Sequence, residues 1–220
     1  MPKRPTLTAP SFDPLVLDDL TPGRSDELRP RASLEGRSFT DISVDAVDLE
    51  SAELTACRVS ALRASTLGLR YAHLSELAMA GIDAPIWTTA RGTWRDVEVD
   101  ASRSGSIEAY ESSWNGVHFR NCRLGFVNLR GSSLQDVAFT DCMIDELDVG
   151  QSKITRFAAP GTRIGRLLVE QSTLQHVDLR GADLSDIAGL NALRGATISS
   201  SQLAQLAPLL AADRGIDVSD

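Results

Sequence analysis

The chain has 220 residues, 42% hydrophobic and 24% charged, which is the balance of a folded chain and not of a disordered one. A formal net charge of −8 disfavours direct nucleic-acid binding, because phosphate attraction requires a basic face. No stretch approaches the ~20 apolar residues of a membrane helix, the opening MPKRPTLTAPSFDP lacks the apolar region of a secretory signal, and three cysteines without a CxxC spacing suit a reducing cytoplasm.

Residues 1–30 come first and read as an N-terminal extension and cap. They hold Pro2, Pro5, Pro10, Pro14, Pro22 and Pro30. The apolar group Leu15, Val16, Leu17 and Leu20 can cover the start of the structure that follows, and the first ten residues are expected to be mobile.

From Leu34 an apolar residue returns every five positions: Leu34, Phe39, Val44, Leu49, Leu54, Val59, and so on to Leu184. Of these 31 positions, 25 hold Leu, Ile, Val, Met, Phe or Trp; the others are Ala64, Ala84, Thr89, Ser104, Ala109 and Ala159. The position two before each is also restricted, as in Ala52, Cys57, Ala72, Ser112, Val117, Cys122 and Cys142. Two residues in five therefore point inward and three outward. A helix would repeat at three and four and a flat strand at two; a period of five fits neither.

Stretches such as Val47-Asp48-Leu49, Val127-Asn128-Leu129, Val177-Asp178-Leu179 and Ala182-Asp183-Leu184 resemble the A-(D/N)-L-x-x repeat of the pentapeptide-repeat family. The likeness covers about residues 31–190. It implies an all-β solenoid, a right-handed quadrilateral β-helix with four five-residue faces and about twenty residues per coil. Residues 32–186 then make about 7.7 coils and a rod ~37 Å long at ~4.8 Å per coil.

Columns twenty apart are homogeneous. One reads Leu34, Leu54, Leu74, Trp94, Trp114, Leu134, Ile154, Leu174, and its small companion reads Ala32, Ala52, Ala72, Gly92, Ser112, Ser132, Ser152, Ser172. A close-packed interior requires constant volume, and small positions follow large ones: Ala64 after Leu62, Ala84 after Ile82, Thr89 after Trp87, Ala159 after Phe157. Only Ser104, with Ser102, lacks such a partner. Residues 82–113 stay in phase but are atypical, and Asp83-Ala84-Pro85 is expected to kink or widen its coil.

Residues 191–220 read as a helical cap. Ser199 and Gln202 form a capping box, with Ile198 and Leu203 as its apolar staple. Leu203, Leu206, Leu209 and Leu210 make one apolar stripe, Gly215 suits the position just past the helix, and Pro208 is expected to kink or shorten it. Ile216 and Val218 are expected to add a short strand.

No constellation for chemistry emerges. His73, His118 and His176 fall on outward positions of different coils. Cys122 and Cys142 stack, but they occupy slots that elsewhere hold Ala and Ser, so they read as small core residues before a disulfide or soft-metal site. Asp136, Asp141, Asp145, Glu146 and Asp148 form an acidic patch over three faces, pointing outward from a convex rod without converging. The chain is accordingly expected to be no enzyme and to carry no metal or cofactor.

The first functional reading is a cytoplasmic interaction scaffold with a protein partner. The alternative is a DNA mimic. The resemblance implies it because some family members bind type II topoisomerases such as gyrase and confer quinolone resistance, with carboxylates standing in for phosphates. Residues 34–186 hold 22 acids against 15 bases, but the bases include arginine bands (Arg91, Arg95, Arg103, Arg120, Arg123, Arg130) that count against a mimic. The leucine stripe of the cap and the small Ala204, Ala207, Ala211 and Ala212 point to a homodimer joined tail to tail through residues 190–218, the arrangement of the gyrase-binding relatives.

Overall fold

Residues 6–218 are described by a computed structural model. Through most of the repeat a residue pairs with the one twenty positions later: Leu54 with Leu74, Leu74 with Trp94, Trp94 with Trp114, Trp114 with Leu134, Leu134 with Ile154 and Ile154 with Leu174. All pairings are parallel. They build a parallel-strand β-solenoid of about 9 turns, closed by one helix at Ser200–Asp213. Inward columns led by Leu34, Phe39, Val44 and Leu49 define faces one to four. The larger sheet wraps faces one and two in strands such as Ser113–Arg120 and Ser133–Thr140, and the second wraps faces three and four in strands such as Arg103–Glu108 and Arg123–Asn128. No helix of the described residues is long and apolar enough to cross a membrane.

Three of the four corners turn through a residue with positive φ, twenty apart in each column. The corner between faces two and three uses Asp41, Ala61, Gly81, Ala101, Asn121, Asp141, Gly161 and Gly181. The fourth corner works differently. It has no positive-φ column; a Cβ at Gly165 would stand 2.6 Å from the Asp145 carbonyl oxygen one coil earlier, while Asp45, Ser65 and Asp145 hold side chains at the same place in other coils. Ala61 holds φ 53° in an exposed place, where a left-handed alanine costs about 1–2 kcal/mol. Replacing it with glycine, whose added freedom in the unfolded chain costs about 0.5–1 kcal/mol, is expected to be net stabilising by about 0.5 kcal/mol in urea melts. Ala78→Gly, inside the strand His73–Ala80, should instead lose about 0.5–1 kcal/mol; equal losses at both sites would contradict this account of the corner.

The interior is filled by both inward positions of every face, and Trp87, Trp94, Trp114, Phe119 and Phe139 are fully buried. Trp94 stacks on Trp114 at 4.8 Å between centroids, and Phe119 on Phe139 at 5.0 Å. Volume balances around a whole coil as well as within one face: bulky Trp94 shares its coil with Gly92, Ser102, Ser104 and Ala109. Both serines are satisfied, Ser102 donating to the Asp100 carbonyl at 2.8 Å and Ser104 to that of Ser106 at 2.9 Å. At the atypical coil Asp83 bridges Arg63 and Arg103, and the Pro85 carbonyl accepts from both Gly105 and Ser106 amides at 2.9 Å.

The buried hydroxyls form a ladder. Ser132 Oγ accepts from the Ser112 amide at 3.0 Å and donates to the Ala109 carbonyl at 3.1 Å, 20 and 23 residues earlier. Ser112, Ser152 and Ser172 repeat the same two bonds. On face three the column continues with thiols and a threonine. Cys142 Sγ accepts from the Cys122 amide at 3.4 Å, and Thr162 Oγ1 accepts from the Cys142 amide at 3.1 Å and donates to the Phe139 carbonyl at 2.8 Å. All three cysteines are free and buried, and burial pushes the Cys57 thiol up. Cys122 and Cys142 fill the places that Ser102 and Thr162 hold in the same column, and Cys57 stands where the following coils have Leu77 and Val97.

Both ends extend beyond the five-residue repeat. Thr21–Pro22 pairs with Arg37–Ser38 at an offset of 16, and Ala196–Thr197 pairs with Val177–Asp178 at an offset of 19, so the solenoid is longer than its repeat. At the far end the helix begins at a capping box: Ser199 Oγ accepts from the Gln202 amide, and Gln202 Oε1 accepts from that of Ser199. Gln202 also donates from Nε2 to the Leu179 carbonyl at 2.6 Å and the Ala182 carbonyl at 2.8 Å. It stands twenty residues after Ala182, where the next rung of the face-three ladder would be.

The helix neither stops nor breaks at Pro208. The bond Pro208 cannot make would go to Ala204, which lies on the exposed side, where water satisfies the freed carbonyl. No strand forms at Ile216 and Val218. Gly215, at φ 68°, instead donates to the Ala212 carbonyl and Ile216 to that of Ala211, closing the helix in a Schellman turn.

Residues 21–28 sit at the near end, with Leu28 packed on the core and Glu27 paired with Arg37. Residues 6–20 run lengthwise along the rod. The first five residues, part of the segment expected to be mobile, lie outside those described.

Candidate interaction surface

The outer surface consists of columns of side chains repeating at each coil, many fastened to their neighbours by ion pairs. Arg156 grips Asp136 through Nε at 2.6 Å and Nη2 at 2.5 Å, Arg91 bonds Glu111 at 2.7 Å and Tyr71 Oη at 3.0 Å, and Arg120 bonds Glu98 at 2.6 Å. The first two sets are twenty apart, one coil. An exposed pair such as Arg91–Glu111 contributes little stability; the structural effect of these pairs is to hold the side chains in register.

The five candidate acids are spread over two corners and over faces three and four, without converging. Asp136 sits at the corner between faces one and two, where it is buried, pairs with Arg156 and accepts the Ser11 amide at 3.0 Å. The hydrogen bond from Arg156 holds its carboxyl below the usual range. The stability it supplies is therefore present at neutral pH and fades as acid protonates it. Asp141 lies at the next corner and Asp145 on the outward side of face three; both are exposed and make no ion pair among the described residues. Glu146 approaches Arg166 at 3.8 Å, and Asp148 approaches Arg130 at 3.6 Å. Among the described residues no three His, Cys, Asp or Glu side chains gather to hold a metal. The helix stripe divides: Leu206 is buried, Leu209 and Leu210 pack partly on the core, and Leu203 is 51% exposed.

The N-terminal segment adds contacts that the periodicity does not signal. The Thr8 amide donates to His176 Nδ1 at 3.3 Å, the Ser11 amide to Asp136, and Phe12 stacks on His118 at 4.6 Å with 14° between the rings. His118 also bonds Thr140 through Nε2 at 2.8 Å. Burial, with Arg120 nearby, lowers its pKa.

Four faces of five residues, coils of twenty and parallel pairing at offset twenty decide the architecture. The chain has the pentapeptide-repeat fold. No family model and no curated protein matches it. Solved structures similar to this chain include HetL, a pentapeptide repeat protein involved in heterocyst differentiation regulation from the cyanobacterium Nostoc sp. strain PCC 7120. It is 18% identical over 78% of this chain and 91% of its own, with a TM-score of 0.39. Full-length QnrB1, a plasmid-mediated fluoroquinolone resistance protein, is 12% identical over 81% of this chain and 98% of its own, with a TM-score of 0.30. A trypsin-treated form of QnrB1 is 13% identical over 90% and 96%, with a TM-score of 0.31.

Proposed function

We propose that this pentapeptide-repeat chain is a non-enzymatic cytoplasmic scaffold that binds another protein through its outer faces. The observation that carries this reading is the registered surface: outward side chains recur coil by coil and are pinned by pairs such as Arg156–Asp136 and Arg91–Glu111. Such a surface presents a fixed pattern at little ordering cost, which is where preorganised binding gains affinity. Three free buried thiols support a reducing compartment.

A second reading is the DNA mimic of a type II topoisomerase. The unpaired carboxylates of Asp141 and Asp145 at the rim of face three favour it. Within either reading the exposed Leu203, with Ile216 and Val218 beyond it, supports a tail-to-tail homodimer.

Photo-crosslinking tests these proposals in the native host. Probes go at Gln135, Arg58, Met143 and Arg70, one exposed position per face, with a fifth at Leu203. A protein captured from one or two faces and not the others is expected; no capture from any face would overturn the scaffold. The mimic expects a topoisomerase subunit at Met143, lost when Asp141 and Asp145 become lysine, and a different protein there would exclude it. The dimer expects a product of twice 23.7 kDa from Leu203, and none at tens of micromolar would exclude it.

A further inference from the structure

The N-terminal segment lies across the grain of the solenoid. Its anchors on the rod are His176, then Asp136 two coils earlier, then His118 about one coil earlier still, and finally the pairing of Thr21–Pro22 with Arg37–Ser38. Three residues, Thr8 to Ser11, span the two coils between His176 and Asp136. Two coil spacings come to ~9.6 Å, and an extended chain covers ~3.3 Å per residue, so the strap is drawn out nearly to its limit.

A chain in this direction cannot join the sheets, whose strand edges already face neighbouring coils. Its grip rests on two backbone amides reaching side chains, the Phe12–His118 stack and the buried Leu17. Pro10 and Pro14 add no donor to satisfy. Thr6, Thr8, Ala9, Ser11, Asp13, Pro14, Val16, Asp18 and Asp19 are exposed. Few anchors and an open backbone mark a segment at the low end of local stability.

The surface beneath is of another kind. Beside the Phe12–His118 stack stand Arg120 and its partner Glu98, and beyond His118 the outward positions of face two are Ala138, Thr140, Ala158 and Pro160, which carry no charge. Ala138 points outward on face two yet is 4% exposed, next to the contacts of Ser11 and Phe12. The two coils between Arg120 and Asp178 thus form a short uncharged track along face two. The surface there offers an acceptor carboxylate at Asp136, an aromatic platform at His118 and small side chains between them.

We propose that face two is a docking surface for an extended segment of a partner protein, and that residues 6–20 are its displaceable occupant in the resting chain. The strap displays the chemistry of the ligand: an aromatic ring to stack on His118, a free backbone amide one residue before it for Asp136, and proline where no donor is needed. The inference rests on the scaffold reading, since it supposes a protein partner. It adds the face, the form of the ligand and its control by competition within the chain.

A fluorescein-labelled peptide of residues 6–20 tests it in trans by anisotropy. The full chain carrying Ser11→Pro and Phe12→Ala, both at exposed or half-buried positions, should bind the peptide at least tenfold more tightly than the wild type, whose own strap competes. Adding His118→Ala to that chain, or Phe12→Ala to the peptide, should weaken binding at least tenfold. Equal binding to variant and wild type, or indifference to His118, would overturn the proposal. In the wild type, excess unlabelled peptide should speed hydrogen exchange at the Thr8 and Ser11 amides, and no acceleration would overturn it without relying on any variant. A doubled mass for the strap-weakened chain would show that a second copy takes the site, which overturns the partner assignment. All these outcomes concern isolated protein and peptide, so they are separable from the crosslinking result in the host.

Discussion

Trp114→Ala should lower the unfolding free energy by about 3–5 kcal/mol, the usual cost of removing a buried tryptophan side chain. The indole is fully buried, stacked on Trp94 at 4.8 Å and near Phe119 at 5.7 Å. Nothing nearby can fill the gap, because its inward companion is Ser112 and the residues one coil either side, Trp94 and Leu134, are held by the parallel ladder. One feature places the loss toward the lower end of that range. The indole N–H is buried without an acceptor, as are those of Trp87 and Trp94, so its removal returns part of a desolvation cost of about 1–3 kcal/mol. Gln135→Ala, one position after Leu134 but outward and exposed, should change stability by less than about 0.5 kcal/mol. Urea melts measure both, and a Trp114→Ala loss no larger than that of Gln135→Ala would contradict the inward assignment.

The second large effect is expected at Gln202. Its Nε2 is the donor to two carbonyls at the end of the solenoid, those of Leu179 and Ala182, and the side chain is buried. Gln202→Glu keeps the oxygen that accepts the Ser199 amide and removes only the donor. The two carbonyls then face a carboxylate instead of an amide. A loss of about 2–4 kcal/mol is expected, from about 1–3 kcal/mol for each buried group left unpaired. Gln202→Leu should lose a similar amount, with the capping interaction gone as well. If Gln202→Glu melts within about 0.5 kcal/mol of the wild type, the helix does not seal the coil through this residue.

The solenoid was legible because its signal is a repeated volume constraint. Leu134 and Ile154 share a column in the sequence and pair in space for the same reason, that each coil has one slot for them. The outward ion pairs went unread although the sequence holds their signal, since Asp136 and Arg156 are twenty apart and so are Glu146 and Arg166. The period alone brings them within reach. The end turns were not legible: offsets of 16 at Thr21–Pro22 and 19 at Ala196–Thr197 break the phase, and pieces this short have no periodicity of their own. The strap was hidden for a different reason. Two of its contacts are made by backbone amides, at Thr8 and Ser11, and a backbone donor leaves no mark in the sequence beyond not being proline. Gln202 was visible as half of a capping box, but its amide face toward Leu179 and Ala182 depends on the tilt of the helix over the last coil. Pro208 misled because its cost depends on which side of the helix loses the bond, and that side faces water.

The hydroxyl ladder gives the solenoid a direction. Ser112, Ser132, Ser152 and Ser172 each reach back to an amide and a carbonyl of the coil before, on face one. Thr162 does the same on face three, and Gln202 makes the final backward reach to the Leu179 and Ala182 carbonyls. These buried hydroxyls therefore all fasten to the turn already made, and none of them to the turn to come. For a chain that leaves the ribosome amino end first, each turn from Ser112 on arrives holding a clasp that locks it to a finished one, and the helix arrives last, with the clasp that needs no successor.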